Sequence, residues 1–265
     1  MNIVISGASS GIGFHTALEL ARRGHHVLAF SRSAVKLEKL KALSSNRGNP
    51  GKITVLPFDL AYGDIPGFVE NAIKPVFERV DVLINNAGSL INKPFAETSD
   101  AELEKVFRVN FMGVFSLIRS LLPLMEGGRI AQEGNTISAA AGEVMGRRLG
   151  AAVKVSGQYL SSIINIGSIG GISGSQKFPG LSAYSSSKGA LSILSEVLAV
   201  ELEEKGISVN CLALGAVQTE MLQEAFPGYQ AKQSPEIMGD FIADFVEKGS
   251  RVFNGKTIPV SVSNP

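Results

Sequence analysis

A chain of 265 residues with 45% hydrophobic and 18% charged residues has a globular composition and excludes an intrinsically disordered one. Its 25 basic and 24 acidic residues leave a formal charge of +1, which gives no electrostatic ground for nucleic acid or an anionic membrane as partner. The single cysteine, Cys211, excludes an internal disulfide framework and fits a reducing compartment.

In chain order, short β-branched runs alternate with longer amphipathic stretches. Asn2–Ser6 reads as a strand and Gly13–Arg23 as a helix with Ala17, Leu18 and Ala21 on one face. The strand Val27–Phe30 precedes a charged helix over Val35–Leu43. Ile53–Phe58 and Val82–Asn85 are further strands, with a helix over Gly67–Phe77 between them. Ala101–Met125 predicts a long helix, Ser162–Ile166 a buried strand and Ser185–Lys205 another long helix. Ile207–Leu212 and Thr257–Val262 complete about seven strands, and Pro259 places the last at an edge or bulge. Such alternation implies right-handed crossovers: a single α/β domain over residues 1–265, Rossmann-type, with a doubly wound parallel sheet and helices on both faces.

Some stretches carry less. Between Met125 and Ser162 the sequence is small and weakly periodic, where connections usually run about 2–6 residues. Roughly Gly127–Gly157 therefore reads as an insertion, a surface excursion or subunit contact on one reading and a lid on the other. The first apolar stretch, Ile3–Ile5, runs into a glycine-rich turn, unlike a secretory signal, and no window approaches 18 consecutive apolar residues. The expected location is the cytoplasm. Cys211 follows the run Ile207–Asn210 and reads as a buried, inert thiol, while His15, His25 and His26 lack metal-ligand spacing.

Directly after the first strand comes Ser6-Gly7-Ala8-Ser9-Ser10-Gly11-Ile12-Gly13, opening a helix. Glycines there permit a tight turn and close backbone approach to a pyrophosphate, and the helix N-terminus offers free N–H groups. The second strand ends Ser31-Arg32, where an acidic residue would select NAD by binding the ribose 2′-hydroxyl. A guanidinium instead pairs with a 2′-phosphate, so the cofactor expected is NADP(H).

The glycine motif, Asn85-Asn86-Ala87-Gly88, Asn110 and Tyr184-Ser185-Ser186-Ser187-Lys188 together resemble the short-chain dehydrogenase/reductase family. The resemblance covers nearly the whole chain apart from the insertion and the last thirty or so residues. It implies Gly7, Ser9, Ser10, Gly11, Ile12 and Gly13 at the cofactor phosphates, Ser31 and Arg32 at the 2′-phosphate, and Asp59 and Leu60 beside the adenine. It further implies Asn86, Ala87 and Gly88 along the cofactor, and Val217 and Thr219 at the nicotinamide carboxamide. Tyr184 becomes the general acid/base, Lys188 a donor to the nicotinamide ribose, and Asn110 the anchor of a water linking Lys188 to solvent.

Tyr184 and Lys188 lie four apart on a helix and share a face. A neighbouring ammonium and a positive nicotinamide ring are expected to lower the tyrosine pKa from ~10 towards working pH. A serine holding the substrate oxygen is also implied. Ser138 and Ser168 both compete for that role, and Ser168 is preferred because it follows a convincing buried strand. Met221, Leu222 and Phe226 either line a substrate pocket or pack as a plain loop.

Two departures stand out. Leu214 precedes Gly215 where most members have proline, which predicts a looser turn before Val217 and Thr219. The chain also ends at Ser261-Val262-Ser263-Asn264-Pro265, without the family's usual ending, so a homodimer or homotetramer both stay open. The expected activity is hydride transfer between NADP(H) and a carbonyl or alcohol of a small molecule. The alternative is a non-catalytic NADP(H)-binding redox sensor or regulatory protein. No nucleic-acid, membrane or metal partner is expected.

Overall fold

Seven parallel strands lie side by side in the order β3-β2-β1-β4-β5-β6-β7 in this computed structural model, which describes residues 1–46, 48–126 and 159–262. They are β1 (Asn2–Ser6), β2 (His26–Ser31), β3 (Lys52–Pro57), β4 (Val82–Asn85), β5 (Ser161–Ser168), β6 (Ile207–Leu214) and β7 (Thr257–Val260). Side chains alternate between the two faces, as the strand period of two requires. Ile3 and Ile5 join the core under α1 (Gly11–Arg22), α2 (Ala34–Asn46) and α8 (Pro235–Glu247). Val4 joins the opposite core under α5 (Gly113–Met125) and α6 (Ser182–Glu201). Burial on both faces explains why the central strands carry apolar residues at consecutive positions, as in Ile3-Val4-Ile5 and Val82-Leu83-Ile84. Pro259 sits on β7, the sheet edge, as expected of a residue without an N–H to donate.

Strand order reverses between β1 and β4. From β1 the chain winds outward through β2 and β3, then returns to the other side of β1 and continues to β7. The C-terminal ends of β1 and β4 therefore open a crevice, the place where open α/β sheets bind ligands.

Several elements differ from the sequence expectation. The helix expected over Gly67–Phe77 is a short α3 (Ile65–Phe68) followed by a π-helical turn over Val69–Ile73. It starts earlier because Asp64 caps it, accepting from Gly67 N at 3.1 Å, with Pro66 in the first turn. The long helix expected to Met125 begins as α4 (Asp100–Phe107), capped by Ser99, and a π-helical turn at Arg108–Met112 joins it to α5. That run, Asp100–Met125, is long enough, and over an 18-residue stretch apolar enough at a mean hydropathy of 1.3, to cross a membrane by length and composition. The expectation drawn from unbroken apolar windows missed it. Here Val114, Leu117, Ile118, Leu121 and Met125 of its apolar side are core residues beneath the sheet.

Two helices have no counterpart in the sequence reading: α7 (Glu220–Ala225) and α8. Helix α8 packs along α1, and Arg23 ties the two together. Its guanidinium reaches Glu19 at 2.8 Å, Asp240 at 2.6 Å, Asp244 at 2.7 Å and Glu247 at 2.9 Å. The expected insertion at 127–157 lies outside the described residues.

Candidate active site

The glycine turn is shaped by what lies beside it. Gly7 and Gly11 have φ of 68° and 56°, a region that glycine enters without strain. A Cβ on Gly7 would lie 2.6 Å from Ala87 Cα, and one on Gly13 would collide with Asn86 Nδ2 and, at 2.6 Å, with Gly7 O. The β1 and β4 loops thus meet with no room for side chains. Ser6, which the sequence reading passed over, fastens them. Its buried hydroxyl accepts from Asn86 N at 3.1 Å and Ala87 N at 3.0 Å, while Asn86 Nδ2 donates to the carbonyls of Ser6 and Gly7. Ser10 is the N-cap of α1 yet makes no capping hydrogen bond through its side chain. The N-terminus of α1, beside Ser9, Ile12 and Gly13, is therefore open to an anion.

At the end of β2 the Ser31 hydroxyl is buried without a hydrogen-bond partner. The adjacent Arg32 is exposed, and no ion pair engages it among the described residues. An orphaned buried hydroxyl beside an unpaired guanidinium calls for a polar, anionic ligand. Asp59 and Leu60 follow β3, where Asp59 Oδ1 accepts from Ala61 N at 2.8 Å and Leu60 is buried. These residues fit a phosphorylated dinucleotide laid across the crevice, with its phosphates on the α1 side.

The turn after β6 is not loose, contrary to expectation. Gly215 N donates to Val260 O at 2.9 Å, and Gln218 N to Gln233 O at 2.8 Å. Gln218 Oε1 accepts from Ala231 N at 2.7 Å, and Val217 is buried. Backbone pairing replaces the rigidity that proline would give, and it sets Thr219 as the N-cap of α7. The Thr219 methyl then lies 3.2 Å from where a Cβ on Gly11 would stand.

At the C-terminal end of β5, Ser168 stands beside the Tyr184 phenol, near enough for its hydroxyl to favour the phenolate, and both line the same cavity. Ser138, the other candidate, lies outside the described residues. Lys188, one turn after Tyr184 on α6, is buried and donates to Ile166 O at 2.7 Å, with Nζ 5.9 Å from the centre of the Tyr184 ring. Asn110 sits in the π-helical turn, wholly buried. It accepts from Ser89 N at 2.7 Å and donates to Ser89 O and to Ser187 Oγ, both at 2.9 Å. Ser187 Oγ donates in turn to Tyr184 O at 2.7 Å, coupling Asn110 to the tyrosine's helix. Ser187 was not singled out in the sequence, although its place three residues after Tyr184 carried the signal. A Cβ on Gly88 would stand 3.7 Å from Asn110 Oδ1 and 3.8 Å from both Lys188 Nζ and Met221 Cε, so these groups converge there.

Electrostatics differ from the expectation for the tyrosine. Burial raises the Tyr184 phenol above its ordinary value, and the Ser168 hydroxyl only partly opposes this. Lys188 does not reverse it because its ammonium is aimed at Ile166 O and is itself pushed down to about 8 by desolvation. Burial also raises the Cys211 thiol, which is wholly buried and reads as inert. His15 and His25 pair with Glu236 and Glu247, His26 meets Thr54, and no metal-binding cluster exists among the described residues.

These groups border a cavity of about 310 Å³. Ile12, Gly88, Ser168, Tyr184, Lys188, Val217 and Thr219 line one side. Met221, Leu222 and Phe226, left open between pocket and plain loop, line the other, with Leu90, Phe178 and Tyr229 that the sequence did not suggest.

Comparison with known proteins accords with this geometry. The short chain dehydrogenase family model matches residues 1–151 and 151–230. The chain is 31% identical over 248 residues to the fatty acyl-CoA reductase of Acinetobacter baylyi, covering 92% of this chain and 72% of that protein. It is 29% identical over 222 residues to the 3-oxoacyl-[acyl-carrier-protein] reductase of Thermotoga maritima, covering 83% and 76% respectively. Among solved structures, one from Beutenbergia cavernae superposes with a TM-score of 0.75 at 25% identity, over 97% of this chain and 94% of that one. That structure, provisionally assigned as an NAD(P)-dependent gluconate 5-dehydrogenase, holds NADP at low occupancy.

The lysine gives a test of the site's electrostatics. A lysine whose folded pKa lies below its unfolded one costs stability in full below the folded value, and the cost fades as pH rises towards the unfolded value. A shift from 10.5 to about 8 corresponds to about 3 kcal/mol. Lys188→Met is expected to be more stable than the parent at pH ~7, by up to about that amount, with the gain shrinking as pH rises towards ~10. Urea unfolding at the two pH values checks it, and a variant no more stable than its parent at pH ~7 contradicts the assignment.

Proposed function

The chain belongs to the short-chain dehydrogenase family, and from that premise we propose that it is an NADP(H)-dependent oxidoreductase interconverting a small-molecule carbonyl and its alcohol. The observation that carries this reading is the Tyr184–Ser168 pair at the wall of an apolar cavity, with the Lys188 ammonium buried beside it. A non-catalytic NADP(H)-binding sensor has no need of such a pair facing a cavity. Two relatives named as reductases of acyl compounds also favour turnover in the reducing direction.

The residues that would hold the cofactor are Gly7, Ser9, Ser10, Gly11, Ile12 and Gly13 at its phosphates, Ser31 and Arg32 at the 2′-phosphate, and Asp59 and Leu60 at the adenine. Asn86, Ala87 and Gly88 would run along it, Val217 and Thr219 would meet the carboxamide, and Tyr184 and Lys188 would meet the nicotinamide ribose. When bound, NADP(H) supplies or takes up the hydride. The chain's own residues handle the oxygen and its proton. Ser168 holds the substrate oxygen by its hydroxyl, next to the Tyr184 phenol. Because burial raises that phenol, Tyr184 keeps its proton at neutral pH and stands ready as the acid in reduction. The Lys188 ammonium, charged below about pH 8 and held by Ile166 O, would serve as a donor to the nicotinamide ribose. Asn110, fixed by Ser89 and Ser187, would anchor a water that links Lys188 to solvent, the route by which that proton is restored. Cytoplasmic location and NADP(H) preference together favour reduction, since cells keep that pool reduced.

Exposed apolar side chains support a homo-oligomer. Ile193, Val197 and Val200 form an exposed stripe at i, i+4 and i+7 along α6, and Met112 and Phe115 are exposed on the adjoining helical run. Two copies meeting on these helices would remove that surface from water.

Three outcomes are expected. Tyr184→Phe lowers kcat by about 10²–10⁴-fold while NADPH affinity, read by cofactor fluorescence, stays nearly unchanged; surviving turnover would remove Tyr184 as proton donor. Arg32→Ala weakens NADPH binding by about tenfold or more and leaves NADH binding alone; an equal effect on both would end the 2′-phosphate role. Val197→Glu dissociates the oligomer in sedimentation velocity, and a wild type that sediments as a monomer contradicts the shared interface.

A further inference from the structure

We propose that the substrate is a carbonyl compound bearing a long, uncharged aliphatic chain, held along a wall of Phe178, Leu181, Met221, Leu222, Phe226 and Tyr229. The proposal rests on the oxidoreductase reading and specifies what the same cavity accepts.

Three observations carry it. The first is the absence of a partner for charge: among the described residues lining the cavity, Lys188 is the only ionisable group that is positive or negative at neutral pH. Its ammonium is already committed to Ile166 O, and the nearby Glu220 is turned outward to Lys36 Nζ at 2.7 Å. A substrate carboxylate or phosphate would be desolvated there without a counter-charge.

The second is the placement of polar groups. Apart from the backbone and Lys188, hydroxyls of Ser168, Tyr184, Thr219 and Tyr229 are the polar groups on the lining, and the first two stand together at the reacting end. A sugar or polyol needs a hydrogen-bond partner for most of its hydroxyls. The wall beyond Ser168 and Tyr184 offers an apolar chain what it needs and a polyol almost nothing.

The third is exposed apolar surface at the cavity itself. Phe178 and Tyr229 are 51% and 52% exposed, and Met221 is 38% exposed, although each lines the cavity. Methionine and aromatic side chains suit a flexible chain, since thioether and ring faces adapt to varied contacts. The cavity's volume, about 310 Å³, sits at the lower end of ligand pockets. The half-exposed side chains continue it outward, so the carbonyl end enters and the rest of the chain runs along the rim. The rim is also held in place: Asn92 Nδ2 donates to Ala225 O at 2.7 Å and Lys93 N to Gly180 O at 2.9 Å, linking the loop after β4 to α7 and to the segment carrying Phe178 and Leu181.

The test is kcat/KM with saturating NADPH across straight-chain aldehydes from butanal to dodecanal, with two controls of matched length, a 2-oxo acid and an aldose. Each added methylene is expected to raise kcat/KM by about threefold to fourfold until the wall is filled, with both controls at least a hundredfold below decanal. Phe226→Ser and Met221→Ser are expected to flatten the slope against chain length. A flat series, or a control that matches decanal, overturns the substrate class and leaves the oxidoreductase reading standing. NADPH binding without turnover of any carbonyl overturns that reading, and this proposal with it.

Discussion

The meeting of the β1 and β4 loops is the constraint on which the rest of the site depends. Ser6 Oγ takes both the Asn86 and Ala87 amides, and Asn86 returns hydrogen bonds to the Ser6 and Gly7 carbonyls. Two loops can be knit this closely only where side chains are missing, which is why positions 7 and 13 are glycine. The same contact sits where strand order reverses, so the crevice, the open N-terminus of α1 and the Asn86–Gly88 turn are fixed by one set of bonds. From there Gly88 leads to Asn110, Lys188 and Met221, joining the Asn86–Gly88 turn to the cavity.

A second constraint is electrostatic. Lys188 keeps a charge in a place where charge is costly, donating to the backbone carbonyl of Ile166. Stability alone would not select that arrangement, and strained or desolvated groups of this kind gather at functional sites. The raised Tyr184 and lowered Lys188 are pushed in opposite directions by the same burial, which keeps a protonated phenol and a labile ammonium side by side. The buried asparagine–serine chain from Ser89 through Asn110 and Ser187 to Tyr184 O holds them in register without adding charge.

Much of this was legible in the sequence, for identifiable reasons. Short apolar and β-branched runs mark all seven strands, the inner ones buried on both faces, and the glycine turn and the Tyr184–Lys188 spacing are local patterns. Ser168 was chosen because it ends a convincing strand, and it lies beside Tyr184. What escaped was set by contacts distant in sequence. Helix α8 carries Met238, Ile242 and Val246 at helical spacing after a Ser234-Pro235 start, yet its partner α1 lies over two hundred residues away. The π-helical turn at Asn110 follows no periodicity that a 3.6-residue pattern reveals. Adjacency of Lys188 to Tyr184 on the helix does not say where its ammonium points, and it points to Ile166 O. The turn after Leu214 was judged by its missing proline, whereas the backbone bonds to Val260 and Gln233 that fix it come from later segments.

The central claim is that the crevice between β1 and β4 binds a phosphorylated nicotinamide dinucleotide beside the Tyr184–Ser168 pair. A fluorescence titration of the purified chain with NADPH and then with NADH tests it most directly, against a low background because the chain has no tryptophan. The account predicts saturable binding of one NADPH per chain, at least about tenfold tighter than NADH. Binding of neither cofactor would contradict it.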